Sequence, residues 1–247
     1  MSSGLTVTRQ GTVIGPVTHR QLARLSTTWH QGGHVLITGG TGSGKTELAR
    51  QIIEQRIQKG GYVVVFMCKL EDETIDSSYR GFKRWKTWKS RPRVDENRIL
   101  LWPDVEGRPL REALVIWKRE FSRALDEISR TGKWTVQLDE GLFIASPAYL
   151  GLAQEMGMMY QLMRSMKGTM ITLAQRPSHL PVTIYANIEH AFVGRASELP
   201  DLKRLADLGG PTNSRELRDI IARNGRHDFT WIPVGPGWPP ELVNLSQ

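Results

Sequence analysis

The stretch "HVLITGGTGSGKT", residues 34–46, decides the fold. A short apolar run ends in Gly39-Gly40, and Gly44-Lys45-Thr46 completes the spacing G-x-x-x-x-G-K-[ST]. In "ELARQIIEQRIQ", which follows at once, Leu48, Ile52, Ile53 and Ile57 recur at helical spacing until Gly60-Gly61 stops them. A strand, a glycine-rich turn and a helix, in that order, form the setting in which this motif cradles phosphate. Backbone N–H groups of Gly39, Gly40, Thr41, Gly42, Ser43 and Gly44 can turn inward around phosphate oxygens, and the following helix adds its positive end. Lys45 is expected to neutralise the β- and γ-phosphates of ATP, and the Thr46 hydroxyl to ligate Mg²⁺.

Outward from this motif, apolar runs and helical patterns alternate. "YVVVFMC" (62–68), "RILLW" (98–102), "WTVQLDE" (134–140), "TMITLAQ" (169–175), "HAFVGR" (190–195) and "DFTWIPV" (228–234) read as strands. The best helix is "RPLREALVIWKREFSRALDEISRTG". Pro109 lies in its first turn, Leu110, Leu114, Trp117, Phe121, Leu125 and Ile128 form one stripe, and Gly132 ends it. A methionine-rich helix is expected over about 148–167, and two short ones near 200–208 and 213–223. Strands separated by helices imply an α/β fold, a mostly parallel sheet covered by helices on both faces, with ligands beyond the strands' carboxyl ends. Residues 1–30 read as a small addition holding at most a hairpin and a short helix, 31–235 as the main domain, and 236–247 as a tail too rich in Pro and Gly for a regular element.

The 33 basic and 25 acidic residues leave a net charge of +8, which favours a polyanionic partner such as nucleic acid. The single cysteine, Cys68, excludes a disulfide framework and reads as a small buried residue rather than a nucleophile. No apolar run reaches transmembrane length and "MSSGLTVTRQ" lacks a signal-peptide core, so no membrane insertion and a cytoplasmic location are expected.

Asp139 and Glu140 end the strand "WTVQLDE". After a phosphate-binding loop, this pair suits a carboxylate that holds Mg²⁺ and a base that takes a proton from the attacking water. The next strand delivers Gln175, 36 residues after Asp139, whose amide can donate to a γ-phosphate and accept from that water. At this point "ITLAQRPS" with the downstream "ANIEHAFVGRAS" resembles the FtsK/HerA superfamily of DNA-translocating ATPases over roughly residues 33–210. The resemblance implies a RecA-like P-loop NTPase domain, ATP hydrolysis, and a sensor role for Gln175. It further implies a homo-oligomeric ring, usually a hexamer, that moves double-stranded DNA, with an arginine supplied to the neighbouring site. Arg164, eleven residues before Gln175, occupies the family's place for that arginine, and Arg176 and Arg195 are the competing residues. The chain shows neither the membrane helices of a cell-division translocase or coupling protein nor an evident winged helix. It thus resembles the stand-alone motors of viruses and phages, for which a portal or capsid vertex is the further partner.

Residues 80–93, "RGFKRWKTWKSRPR", carry seven basic residues, two tryptophans and no acid. Lys83, Arg84, Lys86, Lys89, Arg91 and Arg93 could neutralise phosphates while Trp85 and Trp88 pack on sugars or bases. Equally, the tryptophans could be core residues beneath a solvated basic surface. Two other functions stay open: an assembly or secretion ATPase acting on protein, as in filamentous-phage morphogenesis, and a nucleotide-gated DNA-binding protein that does not travel.

Overall fold

The structure, a computed structural model, describes residues 6–7, 13–14, 32–57, 61–70, 75–90, 92, 96–209, 214–234 and 243–245. Its centre is a nine-stranded sheet. In chain order the strands are β3 (His34–Thr38), β4 (Tyr62–Phe66), β5 (Lys83–Trp85), β6 (Arg98–Leu101), β7 (Trp134–Leu138), β8 (Thr169–Ala174), β9 (Ile188–Val193), β10 (Phe229–Pro233) and β11 (Val243–Leu245). Before them, β1 (Thr6–Val7) and β2 (Val13–Ile14) pair antiparallel as the hairpin expected near the amino terminus. The rest of the first 30 residues, with the short helix expected there, lies outside the described residues.

The spatial order is β11-β10-β9-β3-β8-β7-β4-β6-β5. The seven strands from β9 to β5 run parallel, and β10 turns back antiparallel against β9. Side chains alternate along each strand, so both sheet faces are apolar. Leu36, Val64, Val136 and Leu138 face one core. Val35, Ile37, Val63, Val65 and Ile171 face the other. Helix α1 (Lys45–Ile57) covers the second face through Leu48, Ile52 and Ile53. The short α2 (Ile75–Ser78) follows β4, and α3 (Leu110–Thr131) covers the first face. The apolar stripe of α3 is seated from Ala113 onward. Leu110 is exposed instead, because it opens the helix beyond the sheet, and Glu120 takes a buried place in the stripe.

The short α4 (Gly141–Ala145) leads to α5 (Ala153–Ser165), the methionine-rich helix. Met156, Met159 and Met163 are buried together with Met170 of β8, so these methionines pack the core. Then come α6 (Val182–Tyr185), α7 (Leu199–Ala206) and α8 (Ser214–Arg223). β5 lies inside the basic run 80–93, where the sequence suggested no strand, and β11 corrects the expectation that the tail lacks a regular element. Both are three-residue strands held by ladder bonds to a neighbour, and hydrophobic periodicity cannot register so short an element.

Candidate functional site

The carboxyl ends of β3, β8, β7 and β4 open on a cleft of about 580 Å³. β3 turns into the loop 39–44, where Gly42 (φ +71°) and Gly44 (φ +93°) hold the left-handed backbone that lets successive N–H groups face inward. Lys45 and Thr46 open α1 and line the cleft beside Asp139, Glu140 and Gln175. The residues singled out for phosphate, metal and water chemistry therefore meet in one place, although 36 residues separate even Asp139 from Gln175.

Strand order explains the meeting. β8 lies between β3 and β7, paired in parallel with both. The residue after β8, Gln175, is thus held between the phosphate loop and the acids. Its Oε1 accepts a hydrogen bond from the Thr41 hydroxyl at 3.2 Å, which leaves the amide N–H donors for the cleft. The next residue points elsewhere. Arg176 donates from Nε to Asp201 at 3.0 Å and from Nη2 to Glu198 at 2.6 Å, while the Asp201 carboxylate also accepts the Ser178 N–H. In "AQRP", the amide serves the cleft and the guanidinium ties the strand's end to α7.

Asp139 is 6% exposed, and Lys69, at the end of the adjacent β4, places its ammonium 3.6 Å from the carboxylate. Sequence reading missed Lys69, although a cation just beyond a buried parallel strand was signal enough. Burial raises the Glu140 carboxyl above its ordinary range and the neighbouring Asp139 adds to this. Lys45 and the N–H groups of Leu142 and Gln175 act the other way. A carboxylate raised in this manner is a better proton acceptor. Burial lowers Lys45, opposed by Glu140 and Asp139, and its ammonium donates to the carbonyls of Gly39 and Gly40 at 2.8 and 2.9 Å. Half-buried Cys68 lines the same cleft. Burial and the two carboxylates raise its thiol well above the usual value, so it stays protonated and is no nucleophile.

The donor set fits Mg²⁺ and a nucleotide. A hydroxyl (Thr46) and one buried carboxylate (Asp139) are hard oxygen donors on one wall of the cleft, and Mg²⁺ ordinarily completes its shell with water and phosphate oxygens. Among the described residues no group of three or more His, Cys, Asp or Glu is placed to cage a metal.

The three arginines fall in different places. Arg164 is on the last turn of α5, its side chain 64% exposed and paired with Glu189 at 3.1 Å. Its backbone carbonyl lies against Gly32, just before β3 begins, so it sits at the end of the sheet opposite the phosphate loop. Arg176 is engaged within its own subunit. Arg195 is exposed beyond β9, on the cleft side.

The reading of Trp85 and Trp88 as nucleic-acid contacts is corrected. They are 1% and 3% exposed, packed edge-to-face on each other, and Trp88 also packs on Trp134. Trp88 donates its backbone N–H to buried Glu120 at 2.8 Å and its indole N–H to Glu127 at 2.9 Å. Around them Lys83 pairs with Glu96, Lys86 with Asp104 at 2.6 Å, and the Arg84 guanidinium lies 3.9 Å from the Trp102 ring. Lys89 is exposed, its ammonium 5.8 Å from the Trp85 ring. Arg91 and Arg93 lie outside the described residues. β5 is an edge strand, and charged side chains there also guard against pairing with another sheet. It stands five ladder steps from β3, roughly 24 Å at ordinary strand spacing.

No protein-family profile and no curated protein matches the chain. Solved structures do. The DNA-packaging ATPase B204 of Sulfolobus turreted icosahedral virus shares 15% identity at a TM-score of 0.60, over 88% of this chain and 98% of that one. The genome-packaging NTPase B204 of Sulfolobus turreted icosahedral virus 2, in complex with ATP-gammaS, gives 13%, 0.57 and the same coverage. VirB4 of Thermoanaerobacter pseudethanolicus gives 10% and 0.61 over 98% of this chain and 95% of that one. Among the described residues no helix is long and apolar enough to cross a membrane. The chain shares the fold of these solved structures, here a mostly parallel sheet with the phosphate loop directly after β3.

Proposed function

We propose that the protein hydrolyses ATP to ADP and phosphate and couples this, in a homo-hexameric ring, to movement of double-stranded DNA, as in viral or phage genome packaging. The observation that carries the proposal is the insertion of β8 between β3 and β7, which seats Gln175 between the phosphate loop and the Asp139–Glu140 pair. Such an arrangement senses whether a γ-phosphate is present, which a cyclic motor requires and a passive binder does not.

In this reading the loop 39–46 binds the phosphates, and Lys45 exchanges the carbonyls of Gly39 and Gly40 for β- and γ-phosphate oxygens. Thr46 and Asp139 would hold Mg²⁺, which supplies charge neutralisation on the same oxygens. Glu140 accepts a proton from water as the water oxygen bonds to the γ-phosphorus and the bond to the β–γ bridging oxygen breaks. Gln175 orients that water and donates to the γ-phosphate. Arg164, at the far end of the sheet from its own cleft, would be the arginine supplied to a neighbouring subunit. The basic surface along β5 is the proposed duplex contact.

The test is ATP turnover with and without duplex DNA, with particle mass measured in parallel. Stimulation by duplex in a particle of about six chains supports the motor. Turnover indifferent to DNA supports the second reading, an ATPase acting on protein. Failure to displace a triplex-forming strand despite DNA-stimulated turnover would leave a nucleotide-gated binder.

A further inference from the structure

The cleft has a wall that the chemistry above does not use. Between α8 and β10 the chain makes a tight turn, Asn224–Asp228, in which His227 lines the cleft and Arg226 lies across the phosphate loop. The turn is firmly built. Asn224, 3% exposed, donates from Nδ2 to the Val193 carbonyl at 2.9 Å and to the Thr230 hydroxyl at 3.0 Å. The Gly225 N–H donates to the Asp228 carboxylate at 2.9 Å. Val193 precedes Gly194, whose N–H donates to the Thr38 carbonyl at 2.7 Å, immediately before the phosphate loop. The turn is therefore anchored, through β9, to the strand that carries that loop.

Gly42 supplies an independent observation. Its φ of +71° favours glycine by itself, and Arg226 Nη2 lies beside it, 3.1 Å from where a β-carbon would stand. A side chain at 42 and the guanidinium compete for one space. The Arg226 guanidinium therefore sits against the phosphate loop at Gly42.

Strand order says which part of a nucleotide reaches His227. Glu140 and Gln175 follow β7 and β8, on one side of β3, and fix the γ-phosphate end there. The turn follows α8 and enters β10, on the other side of β3 beyond β9. A phosphate chain bound along the loop with its γ end at Glu140 must direct its nucleoside toward the β9–β10 side. A cleft of about 580 Å³ has room for it.

We infer that the Asn224–Asp228 turn is a nucleoside-recognition element acting within the subunit: the His227 imidazole packs against the base or ribose, and Arg226, seated on Gly42, positions the turn. The inference rests on the nucleotide-binding reading of the cleft. It is tested by direct binding of ADP and of inorganic tripolyphosphate, which lacks a nucleoside, to the full chain. His227→Ala should weaken ADP roughly 5- to 150-fold, the size of one base–ring stack, and leave tripolyphosphate unchanged. His227→Phe, which keeps a flat ring, should restore most of the ADP affinity. Arg226→Ala should lower the ADP-to-tripolyphosphate preference in the parent but not further in a His227→Ala background, because it acts through His227. Equal losses for both ligands, or no loss for either, would overturn the inference while leaving the nucleotide site intact. A parent protein that binds neither ligand would overturn the nucleotide reading itself.

Discussion

Replacing Trp88 distinguishes a structural role for the basic segment's tryptophans from a nucleic-acid role. The ring is 3% exposed, packs on Trp85 and Trp134, and donates its indole N–H to Glu127. Trp→Ala at a buried site costs about 3–5 kcal/mol. For a domain of this size that is a fall of roughly 6–20 °C in Tm. A tryptophan stacked on a base would behave differently, losing about 1–3 kcal/mol of DNA affinity with Tm unmoved. Trp88→Phe keeps most of the apolar area and loses the bond to Glu127, so it should fold with an intermediate Tm. Trp85→Phe should be milder still, since the Trp85 indole N–H has no acceptor to lose. The assay is thermal unfolding alongside duplex titration at one fixed salt concentration. Parental Tm for Trp88→Ala, together with weakened DNA binding, would refute the packing account of this segment.

The remaining predictions concern the cleft, the duplex and the ring. Lys45→Ala should abolish ATP binding, whereas Glu140→Gln should bind ATP and lose about 10²–10⁴-fold in turnover; parental turnover would remove Glu140 from the role of base. Because burial raises the Glu140 pKa, ionised Glu140 costs stability at every pH above its folded value, and that cost vanishes below the unfolded value near about 4. Glu140→Gln should accordingly raise the Tm of the nucleotide- and magnesium-free protein at neutral pH and leave it unchanged at about pH 3; a lower Tm at neutral pH contradicts this. Reversing Lys83, Arg84, Lys86 and Lys89 to glutamate should reduce the log–log salt slope of duplex binding by roughly 0.9 for each phosphate no longer neutralised, and an unchanged slope returns these residues to edge protection. Arg164→Ala should bind ATP and lose about 10³–10⁵ in turnover, with part of the activity returning on mixing with Glu140→Gln subunits; full turnover by Arg164→Ala alone in an assembled ring makes it a surface residue.

The cleft is legible in the sequence because its parts are fixed by local rules. A phosphate loop needs glycines at set positions, and a parallel strand must end where its apolar run ends, so the spacing alone places Lys45, Asp139, Glu140 and Gln175. Charge and aromatic composition are a poorer guide. "KRWKTWK" has the composition of a nucleic-acid contact, yet β5 turns Trp85 into the core and leaves Lys83 and Arg84 exposed at the sheet's edge. The acids that partner this segment, Glu96, Asp104, Glu120 and Glu127, come from loops and a helix up to 39 residues away. No local pattern announces them. Arg226 and His227 are invisible for the same reason. Nothing near "NGRHD" reads as a nucleotide contact until β10 turns back against β9 and sets the turn beside Gly42.

The positions of the arginines bear on whether the site is complete in one chain. Lys45 and Lys69 already lie at the acids, and Arg226 rests on the outer face of the phosphate loop. None of these is a free guanidinium aimed at the γ-phosphate. Arg176 could reach inward only by leaving both Asp201 and Glu198. Arg164 would give up one ion pair, to Glu189, whose own side chain is 15% exposed. Yet Arg164 stands beyond the amino ends of β3 and β8, a full strand length from its own phosphate loop. Of the three candidate arginines, Arg195 is exposed on the cleft side beyond β9, whereas Arg164 lies out of reach of its own site. On the proposed ring reading, Arg164 of one subunit would be supplied to the site of the next. Repeated head to tail, that contact generates a ring if its rotation closes.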